Sequence, residues 1–140
     1  MLTIDDMIAS PTAKARGIDN TPTQKQRDRM QALLDNLVNP IAEKIPLKIT
    51  SGFRCGELNT IVGGVPTSQH TFGMAADCMP DKPNTLIQLM NCVLDSGLDF
   101  DQLILEHGIW VHMSFYAERQ RKQALVIDQQ GHVTPYVREA

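Results

Sequence analysis

The 140-residue sequence predicts a single α+β domain, residues 1–140, in which helices flank a mainly antiparallel sheet. Its length fits one domain, and no second module is expected within it. Apolar residues recur at helical spacing in two stretches, 30–42 and 86–93, and short β-branched or alternating runs follow each of them. Two of these runs are joined by a short connection at Gly108, which allows a tight hairpin and so favours antiparallel pairing.

Two helices are predicted near the start of the chain, with an irregular segment between them. Thr3 can cap a short helix that runs to about Ala9, and residues 10–22 are expected to be irregular. A longer helix should begin near residues 21–23, where threonine can cap and proline suits a first turn, and Pro40 is expected to kink it. Its predicted buried stripe consists of Met30, Leu33, Leu34, Leu37, Val38, Ile41 and Ala42.

The middle of the chain predicts two strands separated by a short helix and a turn. Residues 47–50 alternate like a half-buried strand, and residues 57–62 can form one or two helical turns. The paired glycines in the segment 63–66 then force a turn. The apolar run 74–79 suits a buried strand, in which the single carboxylate of Asp77 would be costly without a partner or a bound cation.

The last third predicts one helix and three strands. Asn84 is expected to cap a helix that ends before Gly97 and buries Leu86, Ile87, Met90 and Val93. Residues 100–106 and 108–115 form the two strands of the predicted hairpin, and residues 123–128 form a further strand. Along the second hairpin strand, side chains two residues apart share a face: Trp110, His112 and Ser114.

Composition excludes several classes of protein. A formal charge of −3 and a pI near 5.7 argue against a nucleic-acid-binding protein, which needs clustered basic residues. The one basic cluster, Arg119, Arg121 and Lys122, is interpreted as a solvated loop or strand edge. Three cysteines without paired spacing predict free thiols. The sequence has no run of about 18 apolar residues, so no membrane span is predicted. No signal peptide is recognised at Met1, so synthesis in the cytoplasm is expected.

Two segments, 68–77 and 106–112, carry the residue types of a catalytic zinc site. Such a site takes three protein ligands and leaves a fourth position to a water that becomes the nucleophile. The candidate ligands are His70, Asp77 and His112. A carboxylate that is not a ligand must then take the proton of the water and return one to the leaving amine, and Glu106 is the candidate.

Motifs throughout the chain point to one family. They are Ser-Gly-Phe-Arg at 51–54, Leu58-Asn59, Gly63-Gly64, the Ser-x-His-x-x-Gly-x-Ala-x-Asp pattern at 68–77, the segment 101–106 and Trp110-Val111-His112. In these motifs the sequence resembles peptidase family M15, the zinc D-Ala-D-Ala carboxypeptidases and peptidoglycan endopeptidases. Residues 10–22 also look like the lead-in of the short phage-type members of its subgroup A. The fold implied is the one shared by DD-peptidases and Hedgehog proteins.

The resemblance implies a role for each matching residue. Zn²⁺ would be bound by His70, Asp77 and His112. Glu106 would be the general base and acid, and Arg54 would hydrogen-bond the scissile carbonyl oxygen. Trp110 would shape the pocket wall, and Ser68 would hydrogen-bond near the ligands and help to orient them. Cys78 is expected to be a small buried hydrophobe, with a role as an alternative zinc ligand kept as the lesser interpretation.

The resemblance further implies a zinc metallopeptidase that cuts peptidoglycan stem peptides or cross-links, like a phage or prophage endolysin. Such a protein would reach the cell wall through a holin or by lysis, and it would need no obligate protein partner. Two alternatives stay open. One is a domain of the same fold that keeps zinc for folding or for binding a partner, and the other is a dipeptidase on free D-Ala-D-Ala-type peptides.

Overall fold

The computed structural model describes residues 1–138, and its helices and strands form one α+β domain, as predicted. The helices are α1 (Ile4–Ile8), α2 (Pro11–Arg16), α3 (Gln24–Leu33), α4 (Asn39–Ala42), α5 (Gly56–Ile61) and α6 (Leu86–Ser96). The strands are β1 (Leu47–Ser51), β2 (Ala75–Pro80), β3 (Gln102–Glu106), β4 (Trp110–Ser114), β5 (Gln123–Ile127) and β6 (Val133–Pro135). In this part of the chain, no helix has the length and apolarity that crossing a membrane requires.

Helix α2 occupies part of the segment that was predicted to be irregular, so that prediction was wrong. The Ser10 hydroxyl caps the helix by accepting a hydrogen bond from the Ala13 N–H at 3.1 Å, and Pro11 occupies the first helical position. Gly17 ends the helix with φ of 65°, a left-handed conformation that glycine adopts readily. Ala13 is the one buried residue of α2, so the helix leaves no apolar periodicity in the sequence.

The long helix begins after Thr23, as predicted, and its apolar stripe enters the core. Thr23 caps α3 together with Gln26 in a reciprocal capping box. A π-helical turn, Leu34–Val38, joins α3 to α4, and Pro40, where a kink was predicted, lies in the first turn of α4. The fully buried residues of this stripe are Met30, Leu33, Leu34, Leu37, Val38 and Ile41.

Helix α6 begins one residue later than predicted, and one of its side chains that was predicted to be buried is exposed. Thr85, not Asn84, caps the helix, in a capping box with Gln88. The buried positions are Leu89, Met90 and Val93, and Leu86 packs against them. Ile87, which was predicted to be buried, is 48 % exposed because it lies outside this stripe.

The six strands form one sheet in the order β1-β2-β4-β3-β5-β6. Every neighbouring pair is antiparallel except β3 and β5, so the predicted mainly antiparallel sheet is confirmed. Strands β3 and β4 form the predicted hairpin. The edge strand β6 was not predicted, because its three residues are exposed and carry no alternating pattern.

Alternation along the central strands separates a core face from a polar face of the sheet. Helices α3 and α6 pack with the core face, which contributes Ala76, Cys78, Leu103, Val111 and Met113 to the core. Intervening positions on the same strands carry the predicted site residues to the opposite face. Cys55, Cys78 and Cys92 are all free thiols, as predicted.

An ion pair between a buried aspartate and an exposed arginine joins the start of β3 to the segment that leads into β5. Asp101 is fully buried and accepts hydrogen bonds from the Arg121 Nε at 2.8 Å, the Arg121 Nη2 at 2.7 Å and the Gln69 Nε2 at 2.7 Å. Arg121 lies in a loop and its side chain is 37 % exposed, in agreement with the prediction of a solvated loop, although its pairing with Asp101 was not predicted. Sequence spacing did not show that a residue twenty positions earlier would be its partner.

We expect Asp101→Asn to lower the free energy of unfolding at pH 7 by about 2 kcal/mol, since hydrogen bonds to charged groups contribute about that much. Asparagine has one acceptor oxygen and cannot replace both carboxylate oxygens. The Arg121 hydrogen bonds hold the pKa of Asp101 below its ordinary value, so the stabilisation is present above about pH 4 and is lost as the pH falls towards the folded-state pKa.

Urea unfolding of both proteins between pH 7 and pH 3 tests this expectation. The difference in free energy of unfolding between the wild type and Asp101→Asn should become smaller below about pH 4. Asp99→Asn is the matched control, because the Asp99 carboxylate is largely exposed and contacts only the exposed Lys122 amine, at 3.3 Å. A difference of constant size across this pH range, or an equal effect of the control, would contradict the prediction.

Candidate metal centre

Three elements bring His70, Asp77 and His112 together on the polar face of the sheet. His70 lies in a 3₁₀ turn, Gln69–Phe72, that ends two residues before β2. Asp77 and His112 lie on β2 and β4 and are direct cross-strand partners. All three residues are buried, so the polar atoms that face one another are shielded from solvent.

The distances between these side chains fit a bound metal ion. The Asp77 Oδ1 lies 3.2 Å from the His70 Nε2 and 3.0 Å from the His112 Nδ1, and one ligand atom from each residue lies within 4.8 Å of the other two. Zinc bonds of about 2.0–2.1 Å in tetrahedral geometry separate neighbouring ligand atoms by roughly 3.3 Å. The cluster could therefore hold a metal ion with little rearrangement.

The His70 ring is held in the orientation that metal binding needs. Its Nδ1 lies 2.7 Å from the Gly52 carbonyl oxygen and donates to it, which leaves the lone pair of Nε2 directed at Asp77. Burial lowers the pKa of His70, and the hydrogen bond that the protonated ring would donate to Asp77 opposes this only in part, so the neutral, ligating form is favoured.

Gly52 is where the chain ends β1 and passes close to α1. A Cβ at this position would collide with the Met7 backbone, and the next amide, Phe53 N–H, donates to the Met7 carbonyl at 2.7 Å. Glycine is therefore required for space. The contact fixes the carbonyl that orients His70.

Asp77 carries the negative charge at the centre of the cluster. Burial by itself raises the pKa of its carboxyl group, but the hydrogen bonds with His112 and His70 outweigh burial and hold the pKa well below the ordinary value. The Arg54 Nη2 lies 4.0 Å from the Asp77 Oδ2. Asp77 is thus ionised, as a metal ligand must be.

Glu106 stands beside the cluster at the end of β3. Its Oε1 lies 3.6 Å from the His112 Nδ1, and it is not part of the group of three that could hold a metal. Burial raises the pKa of Glu106, with the neighbouring Asp77 charge adding to the effect and His112 opposing it. The hairpin turn sets this position, since Glu106 pairs with Trp110 across it.

Arg54, Ser68 and Trp110 all lie around the cluster. The Arg54 N–H donates to the His70 carbonyl at 3.2 Å, and burial lowers the pKa of its guanidinium, while the carboxylates of Asp77 and Glu106 oppose this. The Ser68 hydroxyl accepts from the His70 N–H at 3.2 Å at the start of the 3₁₀ turn. Trp110 lines a depression together with Arg54 and Asp77.

Asn20 is a residue of this region that the sequence analysis missed. Its Nδ2 donates to the Phe53 carbonyl at 3.0 Å and its Oδ1 accepts from the Cys55 N–H at 2.8 Å, so one buried amide clamps the backbone on both sides of Arg54. A lone asparagine in a segment without periodicity gives no sequence signal for such a role.

Two other side chains near the site do not join the cluster. Cys78 is fully buried on the core face, and burial raises the pKa of its thiol, which fits the prediction of a small hydrophobe and not the alternative of a zinc ligand. His107 occupies the hairpin turn with φ of 56°, and its Nδ1 contacts the Asp128 carbonyl at 2.9 Å.

The α+β fold with a buried His-Asp-His cluster defines this protein as a candidate metal-binding domain. A family model described as Peptidase M15 matches residues 1–114, which is most of the chain. The protein therefore belongs to peptidase family M15, a family of metallopeptidases. No curated protein matches the chain significantly.

We expect His70→Ala and Asp77→Ala to abolish binding of one zinc equivalent, since each removes one of three ligand atoms that converge on one point. Zinc content after dialysis, with isothermal titration of the apoprotein, measures this loss. Cys78→Ala is the matched control, because it changes the residue next to Asp77 but lies on the core face. A Cys78→Ala protein without zinc, or an Asp77→Ala protein that binds one equivalent normally, would contradict the assignment.

Proposed function

We propose that this protein is a zinc-dependent peptidase that hydrolyses peptide bonds in peptidoglycan stem peptides or cross-links, with residues 1–140 as its single catalytic domain. The observation that carries the proposal is a cluster of three metal-ligand residues with a fourth carboxylate, Glu106, beside it but outside it. Two histidines and one aspartate suit Zn²⁺ among the biological metals. Membership of family M15 supports the peptidase activity.

The composition of the cluster favours a catalytic zinc over a structural one. Structural zinc sites normally complete their coordination with a fourth protein ligand. Within residues 1–138 the cluster has three members, His70, Asp77 and His112. A domain that keeps zinc only for folding or partner binding, the first alternative, would have no need of the adjacent Glu106.

In the proposed mechanism Glu106 moves the protons. Bound zinc supplies a Lewis acid that polarises the scissile carbonyl and lowers the pKa of water. Glu106 accepts a proton from the attacking water as the new C–O bond forms. It then gives a proton to the amine nitrogen as the C–N bond breaks. Partial burial of Glu106 and its raised pKa suit a group that must both take and return a proton.

Arg54 stabilises the negative charge that develops on the carbonyl oxygen. Its guanidinium is positively charged, largely removed from solvent and close to the cluster through Asp77. Hydrogen-bond donors in such a low-dielectric environment stabilise a developing oxyanion more than donors in water. The Asn20 clamp on the neighbouring backbone holds the base of this side chain in place.

The shape of the surface supports a substrate that extends on both sides of the scissile bond. One depression lies towards β1 and is lined by Arg54, Asp77 and Trp110. A second lies towards β3 and is lined by Ser68, Glu106 and His112. Because β2 and β4 lie between β1 and β3 in the sheet, the cluster stands between the two depressions. This favours stem peptides or cross-links over a free dipeptide as the substrate.

The cellular setting is part of the same proposal. We assign the protein to the phage-type subgroup on the resemblance of residues 10–22, with release to the cell wall through a holin or by lysis. The peptidoglycan peptide is the proposed partner, and neither nucleic acid nor an obligate protein partner is included.

We expect the zinc-loaded protein to release stem-peptide fragments from purified peptidoglycan, detected by mass spectrometry, and Glu106→Gln to release none at matched zinc content. Glutamine keeps the size of the side chain but cannot carry the proton, so a loss of roughly a hundredfold or more is expected. Normal turnover by Glu106→Gln would refute the role of Glu106. No fragments from zinc-loaded wild type would favour the zinc-binding-domain alternative or another amide substrate.

We also expect a cross-linked or longer stem peptide to be cleaved with a higher kcat/KM than free D-Ala-D-Ala, because only the longer substrate fills both depressions. Kinetics on the two substrates at equal zinc saturation measure the ratio. A ratio that favours the free dipeptide would support the dipeptidase alternative.

A further inference from the structure

The side chain of Arg54 is held by a neutral, buried amide. Its Nη1 donates to the Asn59 Oδ1 at 3.1 Å, and Asn59 is only 3 % exposed. The same guanidinium reaches Asp77 only at 4.0 Å, too far for a hydrogen bond. The close partner of Arg54 is thus an uncharged oxygen, although an ionised carboxylate lies near.

The orientation of the Asn59 amide is determined by both of its ends. Its Nδ2 donates to the Val65 carbonyl at 2.8 Å, while its Oδ1 faces the Arg54 guanidinium. A flipped amide would place two donors together at Arg54 and two acceptors together at Val65. Its backbone is also fixed, because the Asn59 N–H donates to the Cys55 carbonyl within α5 and the Gly64 N–H donates to the Asn59 carbonyl, at 2.9 and 2.8 Å.

Gly64 leaves space for the pair formed by Arg54 and Asn59. A Cβ at position 64 would collide with the Asn59 Oδ1 and would lie 2.7 Å from the Arg54 Nη1. Gly64 is not among the glycines with positive φ, unlike its neighbour Gly63. Its backbone conformation is therefore open to other residues, and the requirement for glycine at position 64 is one of space.

We infer that Asn59 is a positioning residue for the reaction: it orients the Arg54 guanidinium towards the developing oxyanion and keeps it out of a full ion pair with Asp77. A close pair with Asp77 would occupy the donors that the oxyanion needs. Gly64 provides the clearance for this arrangement. The inference rests on the proposed function, since it assigns the purpose of the Arg54 orientation.

Kinetics at saturating zinc test the inference with two variants that disturb the pair in different ways. Asn59→Ala removes the acceptor of the Arg54 hydrogen bond. Gly64→Ala keeps both Arg54 and Asn59 but adds a methyl group that collides with them. Each should lower kcat roughly ten- to a hundredfold with KM and zinc content little changed, because a misplaced group costs about that much. Gly56→Ala is the matched control, since an added Cβ there meets nothing within 4 Å.

A double-mutant cycle separates positioning from a general structural effect. In an Arg54→Ala background, Asn59→Ala should lower kcat no further, because its effect acts through Arg54. Additive losses in the cycle, an Asn59→Ala protein with normal kcat, or equal activities of Gly64→Ala and Gly56→Ala would overturn the inference.

A readout without substrate keeps this test distinct from that of the proposed function. In zinc-loaded, ¹⁵N-labelled protein, the Nε–H signal of Arg54 should shift or broaden in Asn59→Ala and Gly64→Ala but not in Gly56→Ala. If the wild type cleaves no peptide, the proposed function fails, and this signal still decides whether Asn59 positions Arg54. Unchanged signals in both variants would overturn the positioning.

Discussion

The buried carboxylate of Asp77 is the constraint on which the site depends. A charge in the middle of a sheet is costly unless hydrogen bonds or opposite charges surround it, and Asp77 has a histidine on either side and an arginine nearby. Each partner comes from a different part of the chain: the 3₁₀ turn, strand β4 and the loop after β1. The fold therefore has to bring three distant segments to one point on β2. A cation bound there would balance the negative charge of the Asp77 carboxylate.

The two faces of the central strands divide the tasks of folding and chemistry. Cys78 and Val111 point into the core under the helices, whereas Asp77 and His112, adjacent to them in sequence, point to the polar face. A shift of one residue in the pairing of β2 with β4 would turn the ligand residue of one strand to the core face and turn its core residues to the polar face. The apolar packing of the helices thus fixes the register that pairs Asp77 with His112, although neither α3 nor α6 contributes a ligand.

Local sequence patterns predicted which candidate site residues come together better than they predicted the helices and contacts around them. The ligand-type residues and Glu106 lie on strands or next to them, where alternation determines the face, and the structure brings them together. Helix α2 was missed because one buried residue makes no periodic signal. The predicted burial of Ile87 was wrong because this residue lies about 100° around the helix from Leu86, outside the buried stripe. The partnership of Arg121 with Asp101 and the clamp by Asn20 join residues far apart in sequence, and spacing within a segment does not indicate such contacts.

The groups that orient His70 and Arg54 share a chemical feature that explains why sequence patterns do not predict them. His70 is oriented by the Gly52 carbonyl, the Arg54 backbone by the Asn20 amide and the Arg54 side chain by Asn59, and all of these partners are neutral. Neutral acceptors orient a donor without cancelling its charge, so in the proposed mechanism Arg54 remains free to stabilise a developing anion, and the charges of Asp77 and Glu106 remain for the metal and the proton. An ion pair at the Arg54 side chain would hold it as firmly but would offset the charge that the proposed mechanism needs. Amides and carbonyls occur throughout every sequence, and only the fold distinguishes those that hold a catalytic group.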